Sequence, residues 1–164
     1  MEILSRFINN ESGEGFVWIL ILLFLSAVVL GVGLELYRDY SLKESITTEL
    51  NRAGNMSISF SMQDDYRNER IAKIDSDIAQ FEFLGYLTDK LLFTGSYPHY
   101  YFSKDGFEYE IIFSSLSVTE EPPLIICSAM LLVKPIFNIF VPDSFYVELP
   151  ISVRTKNVRI GEFS

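Results

Sequence analysis

Few side chains in this sequence are of a type that does chemistry near neutral pH, and their spacing excludes most reactions. His99 is the only histidine and sits in the run YPHYYF. A zinc site or an acid–base pair would need further imidazole, thiolate or carboxylate groups at fixed spacing, so His99 reads as a packing residue. Cys127 is the single cysteine and lies within LIICSAMLLV, where it serves as a small buried hydrophobe that has no internal disulfide partner. A fold without disulfides fits a bacterial surface protein better than a small secreted one. The pairs Asp64-Asp65 and Glu120-Glu121 lack the oxygen-ligand array of a calcium loop and read as solvated charge. Gly13 and Gly15 have no Lys-Ser/Thr behind them, so they cannot form a phosphate-binding loop. Asn10-Glu11-Ser12 and Asn55-Met56-Ser57 match a glycosylation acceptor, a pattern short enough to recur by chance. The residues therefore predict no catalytic group, no metal site, no cofactor and no enzymatic activity. A separate candidate for contact with a partner is the aromatic loop carrying Tyr97, His99, Tyr100 and Tyr101.

The elements that would position such a loop begin with an apolar segment. From Phe16 to Leu34 the chain reads FVWILILLFLSAVVLGVGL without a charge, about 30 Å of helix and so the thickness of a bilayer's hydrocarbon core. Glu14 and Glu35 flank it. A removed signal peptide would have a shorter core and a basic lead, whereas MEILSRFINNESGEG carries one Arg6 against Glu2, Glu11 and Glu14. A buried core helix is the other alternative, but about 19 residues without one polar face are more typical of lipid. The segment is therefore expected to cross a lipid bilayer once. Trp18 at one boundary and Tyr37 with Tyr40 at the other suit the two interfaces. Ala27, Gly31 and Gly33 would allow close helix approach or local bending. Charge does not fix the direction, because Arg6 on one side faces Arg38, Lys43 and Arg52 mixed with acidic residues on the other.

The rest has the size of one domain, and 14 Phe and 9 Tyr supply enough bulk for a core. With 22 acidic against 13 basic residues and a pI near 4.6, the chain would repel phosphate backbones, so nucleic acid is not an expected partner.

The organisation predicted is a leader over 1–15, a transmembrane helix over 16–34, an amphipathic continuation over 35–55 and an α+β domain over 56–164. In the continuation, Leu42, Ile46, Leu50 and Ala53 fall on one face, a stripe that needs a surface to cover. Gly54 and Asn55 offer a C-terminal cap, with MSISFSM able to prolong the helix or form a strand. A rod from Phe16 to Ala53 would be about 57 Å long. The charged stretch QDDYRNERIAKID reads as a solvated connection or a short exposed helix. Asp75 or Ser76 would cap a second helix, DIAQFEFLGYLTDKLL, with Ile78, Phe81, Leu84 or Gly85, Leu87 or Thr88, and Leu91 at helical spacing. Alternation then marks a strand from Phe107 to Phe113, LIICSAMLLV reads as a central strand apolar on both faces, and Phe145 to Arg154 alternates again with Pro150 suited to an edge or bulge. Short links predict an antiparallel meander of three or four strands, one face of which receives the helix stripe.

Three stretches carry a family resemblance: ESGEGFVWILILLFLSAVVLGVGLELYRDYSLKESITTELNRAGNM, QDDYRNERIAKIDSDIAQFEFLGYL and VELPISVRTKNVRI. Together they resemble the type IV pilin-like class, and more closely the TadE-like minor pilins or pseudopilins of tight-adherence pilus systems, including a Bacillota branch. The resemblance implies an N-terminal helix half in the membrane, a cytoplasmic leader, a domain outside the cell membrane or at the cell surface, and a role in a pilus or secretion assembly. It also implies other pilin-like subunits, pilus assembly proteins and a prepilin peptidase as partners. Leaders of that family are cut after a glycine, which makes Gly13 and Gly15 the candidate processing positions. The chain departs from the family at the fifth mature residue, normally Glu: cutting after Gly13 places Trp18 there, and cutting after Gly15 places Leu20. Neither can pair with a neighbour's new amino terminus. A single-pass anchored receptor or adhesion module is the rival reading.

Overall fold

The computed structural model describes residues 14–62, 73–135 and 145–156. Helix α1 spans Glu14–Phe60, α2 spans Ser76–Asp89, and five strands follow: β1 Thr94–Ser96, β2 His99–Lys104, β3 Phe107–Thr119, β4 Leu124–Val133 and β5 Val147–Lys156. The chain is α+β. By its contacts it divides into two compact units, Met1–Tyr40 and Ser41–Ser164, and α1 contributes to both.

In the first unit, α1 is apolar around its whole circumference, and Phe16 through Leu25 all stand exposed. After Leu34 the faces separate. Leu36, Tyr37 and Tyr40 remain exposed, while Arg38 donates from Nε and Nη2 to Asp39 Oδ1 at 3.1 and 2.9 Å and lies 3.8 Å from Glu35. A buried carboxylate such as Asp39 needs a cation of this kind beside it.

In the second unit α1 does not stop at Gly54 but runs on to Phe60. Ser57, Ser59 and Ser61 return their hydroxyls to the carbonyls of Ala53, Asn55 and Ser57, at 2.7, 2.9 and 2.6 Å, so the serines that suggested a strand are satisfied on the helix itself. Gly54 is not a cap. A Cβ there would lie 2.5 Å from Thr155 Oγ1, so glycine lets the helix sit against β5. Leu42, Ile46, Leu50 and Ala53 are buried as expected, with Leu50 and Ala53 fully so.

Helix α2 starts where its cap was read: Asp75 accepts from the N–H groups of Asp77 and Ile78, both at 3.0 Å. Its buried face is Ala79, Phe83 and Leu87. Of the expected face Leu87 is buried and Leu84 and Leu91 pack against the core, whereas Ile78 and Phe81 are exposed, Phe81 to 75%. The helix is also shorter than expected. It ends at Asp89, and Leu92, which the sequence reading kept inside it, has a φ of 56°, a left-handed conformation that no helix interior accepts.

The sheet is antiparallel in the order β1-β2-β3-β4-β5. It has five strands where three or four were expected, because the end of the aromatic loop is itself a strand, β2, and pairs with a further short strand, β1. Asp105 and Gly106, with φ of 54° and 81°, make the two-residue turn joining β2 to β3, a turn for which Asp-Gly is favoured. Strand β3 continues beyond Phe113 through a bulge at Phe113/Ser115. That extra residue returns Leu116 and Val118 to the face of Ile111 and Phe113. Strand β4 is interior, paired on both sides, and β5, with Pro150, is an edge, as expected.

Helix α2 and the part of α1 after Tyr40 pack on one face of this sheet. Phe83 meets Phe113 edge-on at 6.5 Å, Lys104 Nζ donates to Ser45 Oγ at 2.8 Å, and Tyr86 donates to Glu49 at 3.4 Å. The core between them contains Ile111, Ile125, Cys127, Leu131 and Val153. The opposite face carries Ile112, Leu124, Ile126, Met130 and Leu132, all half-buried and outside that core.

Candidate functional site

Three places in the described structure warrant a functional reading. The first is the surface of α1 from Phe16 to Leu34. An 18-residue window there has a mean hydropathy of 2.8 and no buried residue. Exposed leucine, isoleucine and phenylalanine in water forfeit about 25 cal/mol for each Å² of apolar surface left wet, so a surface of this extent requires lipid or other helices. The helix is a candidate membrane span, consistent with contact to a bilayer. Trp18 lies exposed near one end, and Tyr37 and Tyr40 near the other. Around Gly33 a Cβ would meet nothing within 4 Å, so Gly33 is not required by packing within this chain. Gly31 and Ala27 lie on the same helix. Gly13, one of the two candidate processing positions, lies outside the described residues, while Gly15 is the second residue of α1.

The second place is β2. The sequence reading grouped Tyr97, His99, Tyr100 and Tyr101 as one contact surface, and the strand divides them. Tyr100 is 3% exposed, packed 5.6 Å from Phe113 and 6.4 Å from Phe93; burial raises its hydroxyl above the ordinary value of 10.0. It belongs to the core and not to a contact surface. Tyr101 and His99 point the other way because strand side chains alternate. His99 Nδ1 lies 2.9 Å from Glu110 Oε1. Tyr101 pairs with Glu110 across the strands, and the nearby carboxylate raises the phenol's pKa above 10.0. Glu110 is thus set between an imidazole and a phenol. Tyr97 precedes the strand, 42% exposed and 6.2 Å from Phe113.

The third place is Cys127, which is fully buried, with desolvation raising its thiol to about 12. Such a thiol is not a nucleophile at neutral pH. Glu120 is held by Ser76 Oγ at 3.2 Å and by Lys73 at 3.7 Å, so it ties the β3–β4 turn to the start of α2. Asp64-Asp65 and the Asn10 tripeptide lie outside the described residues. Asn55 lies within α1, and Ser57 of its tripeptide is buried, a poor geometry for a loop-type acceptor. Among the described residues no group of three His, Cys, Asp or Glu side chains could hold a metal ion. No protein-family model, curated protein or solved structure matches the chain.

Proposed function

We propose that this chain is a non-enzymatic, single-pass membrane protein, a minor pilin or pseudopilin-like component of a tight-adherence or type IV pilus-like assembly or secretion system. Its leader is cytoplasmic and its sheet domain lies outside the cell membrane. The observation that carries the reading is the dual character of α1. One unbroken helix, Glu14–Phe60, has a lipid-length front with no buried residue and a rear whose Leu42–Ala53 stripe is sealed in a sheet core. A helix of this kind can leave lipid only by packing on equivalent helices, which is the physical basis of filament assembly from membrane-stored subunits. Trp18 and Leu20 at the fifth mature position remove the usual carboxylate, and this favours an accessory subunit over a shaft subunit.

The test is the intact mass and N-terminal sequence of the protein isolated from native membranes. A start at Glu14 or Phe16 is the expected result and indicates a prepilin-type peptidase. An intact Met1 end would reject processing and favour the second reading, a permanently anchored receptor or adhesion module. That second reading draws on the exposure of Tyr97, His99 and Tyr101.

A further inference from the structure

The sheet face opposite the helices carries a repeating pattern about a central row of serines. Along β4 that face reads Leu124, Ile126, Ser128, Met130, Leu132, which is symmetric in size and polarity about Ser128. On the neighbouring edge strand the same face reads Glu148, Pro150, Ser152, Arg154, Lys156, with acidic Glu148 and basic Lys156 at equal distances on either side of Ser152. The register places these centres together: Ser128 pairs with Ser152 on one side and with Ser115 on the other. Directly paired residues share a face, so the row Ser115–Ser128–Ser152 crosses three strands.

We propose that this face forms a two-fold interface with a second copy of this chain, its axis running across the strands along the serine row. Rotation about that axis reverses strand direction. Leu124 of one copy then lies over Leu132 of the other, Ile126 over Met130, and Lys156 over Glu148. An axis running along β5 instead would bring Lys156 over Lys156 and lose the attraction. The charge pattern thus selects a second copy in one orientation, and each copy supplies both halves of the contact, as an isologous interface demands. Helix α2 and the part of α1 after Tyr40 pack on the other face. A patch three strands wide is smaller than the roughly 800 Å² a side of a stable complex. The contact is therefore reversible, and covalent trapping reads it better than sizing. The inference does not depend on the pilus reading.

The experiment is oxidative cross-linking of the full-length chain in its native membranes, with Ser152→Cys and, as a second on-axis variant, Ser115→Cys. Buried Cys127 does not compete. Both variants are expected to give a disulfide-linked product of twice the chain mass, while Ser117→Cys, two residues off the axis, does not. Lys156→Glu in the Ser152→Cys background should lower the yield about fivefold, and adding Glu148→Lys should restore it. Four results with the Ser152→Cys chain or its off-axis control would each overturn the proposal: a monomer whose introduced thiol still reacts with a polar maleimide, an introduced thiol shielded from that reagent without cross-linking, a product with a protein of different mass, or equal cross-linking through Ser117→Cys.

Discussion

At Gly54 the helix approaches Thr155 too closely to admit a side chain. A methyl at Gly54 would press on Thr155 Oγ1, Cβ and Cγ2, at 2.5, 2.9 and 3.3 Å, so Gly54→Ala is expected to lower unfolding stability by about 2 kcal/mol, the usual cost of overpacking. Thr155→Ala empties the same space. The double variant should therefore be more stable than the sum of the two changes allows, a coupling that a thermodynamic cycle in denaturant measures. Thr155 Oγ1 is itself buried without a hydrogen-bond partner among the described residues, which makes this threonine replaceable. Cys127 gives a second prediction. Its thiol should resist a maleimide at pH 8 in the folded chain and react at once in denaturant. Because its pKa is raised on folding, its contribution to stability is complete below the ordinary thiol value of 9.0 and is lost as pH rises towards about 12. Cys127→Ala should remove that alkaline loss from a stability profile.

The ends of α2 obey opposite rules. Its start is capped by Asp75, and Asp75→Ala is expected to cost about 1 kcal/mol because two N–H groups lose their acceptor. Past its end, Leu92 holds a left-handed backbone and is 75% exposed, so neither conformation nor burial favours leucine there. Leu92→Gly should raise the unfolding midpoint by an amount equivalent to about 1 kcal/mol. The β2–β3 turn provides the contrast. Asp105-Gly106 suits its conformation, and Gly106→Val should destabilise the hairpin where Leu92→Gly stabilises its element.

For the whole molecule, the decisive property is the unburied apolar front of α1. The chain should remain in the membrane pellet through alkaline carbonate extraction. A charge placed mid-span, as in Leu25→Arg, should shift a measurable fraction of the protein out of the membrane, since a central arginine costs about 3 kcal/mol on insertion. Recovery of the unaltered chain in the soluble fraction would reject the span. Substitutions in the Leu42–Ala53 stripe belong to a different class. Leu50→Ala should leave membrane insertion intact and destabilise the sheet domain by about 3 kcal/mol.

The linear chain determined what depends on local pattern. A charge-free run of bilayer length, the stripe at Leu42, Ile46, Leu50 and Ala53, the cap at Asp75, the central apolar strand and the edge Pro150 were all legible, because hydrophobic period and backbone chemistry act over a few residues. The hairpin was also available in principle, since Asp105-Gly106 lies between two alternating runs; the aromatic crowding of YPHYYF read as a loop concealed it. Tertiary structure alone decided the rest. Which face of α2 turns inward depends on where β3 presents Phe113, and that is why Phe83 is buried and Phe81 is not. Gly54 looks like a stop signal until Thr155, about a hundred positions later, occupies the space a side chain would need. The symmetry of the outer sheet face needs a register between strands, because no spacing within one strand states that Ser128 and Ser152 stand side by side.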